Sequence, residues 1–257
     1  MASIGFSTGA LSLGDFGEAL HLMSGLPLTA VELSALRIAE LPTLIGAIPQ
    51  LDLAQFSYIA VHSPSRFLPE EEDFVIDLLQ HVPAEWPIVL HPDTIHRSEK
   101  WARFGAQLAL ENMDRRKPNG RSAEEIAHYF DELPDARLCL DLAHAHQYDK
   151  TMTEAFRMLT RFGDRICQLH VSELDSAGRH FALSYATIAA FTEIASLIPA
   201  DAPIIIESLD PLRREGSREQ QLDWMGHEVS RALLATGRGN WFARPEMPAV
   251  RITAEAV

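Results

Sequence analysis

The chain has few cysteines, no long hydrophobic run and a shortage of positive charge. Only two of its 257 residues are cysteines, Cys139 and Cys167, and each lies within an apolar run. We therefore expect two buried, reduced thiols rather than a disulfide framework. No run approaches the ~18 apolar residues of a membrane-spanning helix, which excludes an integral membrane protein. Because the first residues lack the basic region and apolar stretch of a signal peptide, we expect a cytoplasmic protein.

Lysine and arginine together number 22 against 36 aspartate and glutamate residues, which gives a formal net charge of −14. Such a surface repels nucleic-acid phosphates and anionic lipids unless it carries a local basic patch. The basic clusters at residues 115–121 and 213–218 are small, and we interpret both as solvated loops or helix starts rather than phosphate-binding sites. The charge favours a small-molecule substrate and argues against nucleic acid without excluding it.

Short runs rich in valine, isoleucine and leucine alternate with amphipathic stretches along the whole chain. This alternation is typical of βαβ units and a parallel sheet. Eight such units without a composition break, in a chain of this length, predict a single (β/α)8 TIM-barrel domain over residues 1–257. We expect strands to end near residues 7, 34, 62, 91, 111, 141, 170 and 207, with a C-terminal tail at 238–257. Leucine and phenylalanine on the outer helices would suit a homodimer.

Six consecutive predicted strands end on residue types that bind metals. These residues are His62, His91, Glu111, Asp141, His170 and Glu207. In a (β/α)8 barrel the strand ends converge on one mouth, where active sites of this fold lie. Three carboxylates at one mouth would repel each other, and a divalent cation with neutral imidazoles around it removes that repulsion. The pattern therefore predicts a metal site at the mouth.

Further candidates stand close to the same strand ends. His144 follows Asp141 by three residues on a segment that crosses the mouth, and His180 follows the seventh strand, so we expect both to bind metal. His146 and Glu173 are candidates for substrate contact. Glu32, in the second strand, could bind a substrate hydroxyl or pair with a cation at the rim.

These residues resemble the xylose isomerase-like, AP endonuclease family 2 superfamily of metal-dependent (β/α)8 barrels. The resemblance covers roughly residues 4–207 and the helix beyond. The segments VHSPS, LHPDT, LALENMD, DLAHAHQYD and GRHFAL resemble ligand segments of its endonuclease IV-like members. The last of these implies His180 as a ligand and Arg179 as a substrate contact. An aspartate ligand of that family is Gly178 here, which deprives a third metal of its carboxylate unless Asp175 replaces it.

The resemblance implies two alternative reactions. Sugar isomerases and epimerases of the superfamily use one metal, which the resemblance assigns to Glu111, Asp141, His170 and Glu207. In that branch Glu111 and Glu207 are catalytic and move the proton. Endonuclease IV-like members are zinc-dependent phosphodiester hydrolases, and their pattern adds His62, His91 and His144 as ligands.

The acidic charge and Gly178 favour an isomerase or epimerase acting on a small sugar or sugar phosphate over a hydrolase. A non-catalytic barrel with a structural metal is the third reading. The ligand types suit one to three divalent ions per chain, zinc or manganese, and the carboxylate-rich subset also accepts magnesium.

Overall fold

The computed structural model describes residues 3–239; the rest of the chain, including most of the predicted tail at 238–257, lies outside the described residues. The strands are β1 (Ile4–Ser7), β2 (Ala30–Ser34), β3 (Tyr58–His62), β4 (Ile88–Leu90), β5 (Leu108–Glu111), β6 (Arg137–Asp141), β7 (Ile166–Val171), β8 (Glu173–Leu174), β9 (His180–Phe181) and β10 (Ile204–Ile206). Strands β1 to β7 and β10 close into a parallel barrel in which β10 lies between β7 and β1. Strands β8 and β9 form a separate antiparallel hairpin. The predicted (β/α)8 barrel is confirmed.

Helices surround the barrel. They are α1 (Thr8–Ser12), α2 (Phe16–Met23), α3 (Leu41–Ala47), α4 (Glu72–Leu79), α5 (Ser98–Trp101), α6 (Ala123–Glu132), α7 (Leu142–Tyr148), α8 (Thr153–Phe162), α9 (Tyr185–Thr192) and α10 (Arg218–Ala235). Helix α10 begins with a capping box between Ser217 and Gln220 and ends just before Gly237, whose φ of +70° suits glycine. No helix among the described residues is long and apolar enough to cross a membrane.

The strand register aligns two of the predicted ligands directly and pairs Glu111 with Cys139, two residues before Asp141. Asp141 of β6 lies opposite His170 of β7, and His62 of β3 lies opposite Ser34 of β2. Strands β4 and β10 end one residue before the predicted positions 91 and 207, and β7 continues one residue past 170. These one-residue shifts leave the candidate ligands at the carboxyl ends of the strands.

Alternation along each strand divides the core into two parts. The side chains of Leu138 and Leu140 pack outward in the large apolar core shared with the helices. The inward-facing layer below the mouth includes Val89, Cys139 and Cys167. Both cysteines are buried and free, as predicted.

A buried carboxylate fastens α4 to the short helix α5. Glu72 is fully buried and accepts hydrogen bonds from Trp101 Nε1 at 2.9 Å, Arg97 Nε at 2.8 Å and two backbone N–H groups. Burial alone would raise the pKa of Glu72, but these donors outweigh it and lower the pKa below its ordinary value. The network explains how only four residues of regular α-helix suffice between β4 and β5.

Candidate metal centre

A cavity of about 370 Å³ opens at the carboxyl ends of the barrel strands. Its lining includes His62, His91, Glu111, His144, His180 and Glu207. This is the face of the barrel where active sites of this fold lie. Its volume is in the range of small-molecule sites.

Glu111 occupies the centre of the site. Its Oε2 lies 3.1 Å from His62 Nε2 and 3.0 Å from His91 Nε2. Its Oε1 lies 3.1 Å from His144 Nδ1 and 3.2 Å from His170 Nδ1. Burial would raise the pKa of Glu111, but the surrounding imidazoles hold it well below its ordinary value. Each oxygen of one carboxylate therefore faces two imidazoles.

Four side chains can converge on a single ion. Glu111, Asp141, His170 and Glu207 each offer a ligand atom, and these atoms all lie within 4.8 Å of one another. A second group of the same kind consists of His62, Glu111 and His170. These two groups share Glu111 and His170, and a third group consists of Glu32, His62 and Glu207.

The state of Asp141 fits a divalent cation. Its Oδ1 caps α7 by accepting a hydrogen bond of 2.8 Å from the His144 N–H. Its Oδ2 is buried and accepts no hydrogen bond, although His144 Nδ1 lies 3.2 Å away. Burial, reinforced by neighbouring carboxylates, raises the pKa of Asp141 to about 6 and that of Glu207 to about 8. A cation would satisfy the orphaned oxygen and favour the ionised carboxylates.

The remaining predicted ligands differ in placement. The rings of His62 and His91 meet edge to face with centroids 5.1 Å apart, on the Oε2 side of Glu111. His180 lies at the rim: its Nδ1 is 2.8 Å from Ser172 Oγ and 3.7 Å from Glu207 Oε2. Among the described residues, His180 joins none of the convergent ligand groups.

Behind His170 runs a buried chain of hydrogen bonds. Glu32 Oε2 lies 2.9 Å from His170 Nε2 and accepts a bond of 2.7 Å from Gln168 Nε2. Tyr58 donates to Gln168 Oε1 at 2.6 Å. His170 thus turns Nε2 toward Glu32 and Nδ1 toward the ligand group, the arrangement by which a carboxylate orients a metal-binding imidazole. Glu32 is fully buried and does not line the cavity, although its carboxylate belongs to a convergent group with His62 and Glu207; its contact with substrate stays a prediction.

The other predicted substrate contacts also lie outside the cavity lining. His146 packs edge-on against an aromatic ring of α9, and Glu173 accepts a hydrogen bond from the residue that caps the same helix. Arg179 is exposed and pairs with Asp175 at 2.8 Å. Asp175 is thereby engaged within the β8–β9 turn and does not replace the carboxylate missing at Gly178. These residues stabilise the rim, and their predicted substrate roles do not fit these positions.

Basic residues that were not predicted as site residues lie at the cavity. Arg66, Arg116 and Lys117 line the cavity, whereas Arg115 is exposed outside it. The 115–121 cluster lies on the loop after β5, as predicted, and its members Arg116 and Lys117 line the cavity. The signal available in the sequence was their position, five and six residues after Glu111, on the loop that leaves β5 at the mouth.

A family model for the xylose isomerase-like TIM barrel matches residues 95–227, more than half of the chain. The chain belongs to the xylose isomerase-like TIM barrel family. The matched segment contains all four residues of the convergent group. No curated protein matches the sequence.

Solved structures with the same fold include proteins with different activities. A xylose isomerase domain protein from Alicyclobacillus acidocaldarius has a TM-score of 0.62 and 13% identity, over 92% of this chain and 99% of its own. Endonuclease IV from Thermus thermophilus has a TM-score of 0.57 and 16% identity, over 88% and 98%. The 3-keto-D-glucoside 4-epimerase of E. coli has a TM-score of 0.55 and 13% identity, over 89% and 99%. At these identities the likeness shows the fold alone.

Proposed function

We propose that this member of the xylose isomerase-like family is a divalent-metal-dependent isomerase or epimerase of a small sugar or sugar phosphate. The observation that carries the proposal is the convergence of Glu111, Asp141, His170 and Glu207 within 4.8 Å, next to a cavity of small-molecule size. The epimerase among the structures of like fold adds support from analogy only.

The protein's own groups suit proton transfer at carbon. Glu207 lines the cavity as a carboxylate, so it could exchange a proton with a substrate carbon bound there. Glu111 offers a second carboxylate whose ligand oxygen lies within 4.8 Å of that of Glu207. In this proposal Glu207 and Glu111 exchange protons with the substrate carbon, while Asp141 and His170 only bind the ion.

The donor set would hold zinc or manganese, and its carboxylate-rich part accepts magnesium. A divalent ion there would polarise a substrate carbonyl and so ease removal of the neighbouring proton. Glu32 fixes the imidazole of His170 for this role through the bond at Nε2.

A second candidate is a phosphoester hydrolase, which one observation favours. His62 and His91 both approach Oε2 of Glu111, while His144 and His170 approach Oε1. A carboxylate with ligands gathered at each oxygen is suited to bridge two ions, as two-metal hydrolases require. The cavity volume and the net charge of −14 make a small phosphoester a better substrate for such an enzyme than duplex DNA.

Metal content separates the two candidates. Protein purified without chelator is analysed by elemental mass spectrometry, and one manganese or magnesium per chain supports the isomerase or epimerase. Two or three zinc ions per chain contradict that proposal in its one-metal form and support the hydrolase.

The variant Glu207→Gln tests the site itself. It removes a ligand charge at nearly constant shape, so metal content and any turnover should fall together. Glu173→Gln is the matched control, because Glu173 lies outside the cavity lining. Full metal content in Glu207→Gln would show that the assigned site is wrong.

A further inference from the structure

The guanidinium of Arg116 is held in place on the cavity wall. Asp114, whose side chain is only 2% exposed, accepts hydrogen bonds from Arg116 Nε at 3.0 Å, from its Nη2 and from its backbone N–H at 2.7 Å. Arg116 Nη1 donates to the carbonyl oxygen of Ala177. A buried carboxylate thus fixes a side chain that would otherwise sample many rotamers.

The β8–β9 turn is shaped to receive this guanidinium. Gly178 has a φ of +72°, and a Cβ there would lie 1.7 Å from Arg116 Cζ. Only glycine leaves this space open. Of the five guanidinium N–H groups, three are used by Asp114 and Ala177, which leaves two without an acceptor among residues 3–239.

Two more cations line the same cavity. Lys117 Nζ lies 2.8 and 3.1 Å from the carboxylate oxygens of Asp93 and 3.4 Å from His91 Nδ1, which places it beside the metal-ligand cluster. Arg66, on the loop after β3, is exposed and forms no ion pair within the described part of the chain. Ser63, at the start of that loop, has a buried hydroxyl with no hydrogen-bond partner.

The opposite side of the cavity is uncharged. The ends of β1 and β2, helix α1 and the first residues after β2 contribute Ser7, Gly9, Ala10, Ser34, Ala35 and Leu36 to its lining. Ser7 and Ser34 bond each other through their hydroxyls at 2.8 Å. The cations of the cavity therefore lie on the β3 and β5 loops, where Arg66 is unpaired in the described chain and Arg116 and Lys117 are held by Asp114 and Asp93, whereas the groups near β1 and β2 are neutral.

We infer that Arg116, Lys117 and Arg66 form an anion-binding wall that takes the phosphate group of a phosphorylated small substrate. A phosphate monoester carries about −1.5 to −2 charge near neutral pH and has three acceptor oxygens. It can therefore bind several cationic donors at once, which a ligand carboxylate with one charge and two oxygens does less well. This inference rests on the proposed function and adds that the substrate is a sugar phosphate rather than an unphosphorylated sugar. The sugar hydroxyls would then face the neutral wall, with the reacting carbon above the metal ligands.

The test measures binding of inorganic phosphate to metal-free protein by isothermal titration calorimetry. Wild type should bind phosphate, and Arg116→Gln should weaken that binding about tenfold or more, because a charge-assisted donor pair is lost. Gly178→Ala should weaken it similarly while keeping the charge, because it displaces the guanidinium. Arg115→Gln is the matched control and should bind as wild type does.

Manganese affinity of the same variants separates this inference from the proposed function. It should stay within about twofold of wild type in Arg116→Gln, since Arg116 joins no ligand group. Phosphate binding that is absent in wild type, or equal in wild type and Arg116→Gln, would overturn the anion-binding wall. Phosphate binding that depends on Arg116 in a protein without manganese or zinc affinity would uphold the wall and refute the proposed function.

Discussion

The substitution Glu32→Gln isolates the role of the carboxylate behind His170. Glutamine keeps the shape and can still accept from His170 Nε2 and Gln168 Nε2, which lie 2.9 and 2.7 Å from Oε2 of the wild-type residue. What is lost is the negative charge that strengthens the bond to the imidazole and makes His170 a better ligand.

The size of the effect follows from this geometry. Loss of a partner behind a metal-binding histidine typically weakens metal binding about 10- to 100-fold, which corresponds to about 1.4–2.7 kcal/mol. Because Glu32→Gln retains an acceptor, we expect the lower end, about tenfold. Oε1 of Glu32 is already buried without a hydrogen-bond partner, so an amide NH2 placed there replaces one unpaired polar group by another and should change the stability of the metal-free protein little.

The assay is a competition titration of zinc or manganese against a chromogenic chelator, with thermal unfolding of the metal-free protein measured in parallel. Glu173→Gln makes the same chemical change outside the cavity and should leave metal affinity unchanged. If Glu32→Gln bound metal as tightly as wild type, Glu32 would not position His170 for a metal. A lowered melting temperature without a change in affinity would assign Glu32 to stability alone.

Two further predictions concern the scaffold. Glu72→Gln should lower the free energy of unfolding by about 1.5–3 kcal/mol at pH 7, because the buried donors of Arg97 and Trp101 lose a charged acceptor. The pKa of Glu72 is lowered in the folded protein, so the difference in unfolding free energy between wild type and Glu72→Gln should be fully present above pH 4.5, the ordinary pKa, and shrink as the pH falls through the folded pKa. Urea unfolding at pH 7 and at pH 3 measures this difference. An equal difference at both pH values would contradict the prediction. Cys139 and Cys167 should resist Ellman's reagent in the folded protein and react in denaturant, because both are buried; rapid reaction of the native protein would contradict their placement.

The barrel and the ligand cluster were predictable because both depend on local patterns. The ends of apolar runs mark where strands reach the mouth, and the closure of the barrel then brings residues such as Glu111 and Glu207 together from distant parts of the chain. The depth of Glu32 in the barrel also follows from the strand register. It lies two residues before the end of β2, opposite Ala60, and so sits one inward-facing layer below the pair of Ser34 and His62.

Substrate contacts were not predictable from local pattern. Arg116 and Arg179 are both loop arginines next to an acidic residue or a turn, and nothing in their immediate sequence distinguishes them. Arg116 lines the cavity because Asp114 holds it and Gly178, some sixty residues away, makes room for it. Arg179 is instead drawn outward by Asp175. Such choices depend on contacts between loops that only the folded barrel brings together.

If the site binds two ions, as the second candidate function requires, sharing of Glu111 would make the occupancies of the two ions interdependent. One oxygen serves His62 and His91, and the other serves His144 and His170. An ion bound at one oxygen of Glu111 would change the charge and orientation that the carboxylate offers to an ion at the other oxygen. By thermodynamic reciprocity the second ion would change the affinity for the first by the same factor. Metal titrations of this protein should then be analysed with a cooperativity constant. Substitution of His62 should alter the metal affinity of the group that contains Asp141, although His62 is not a member of that group.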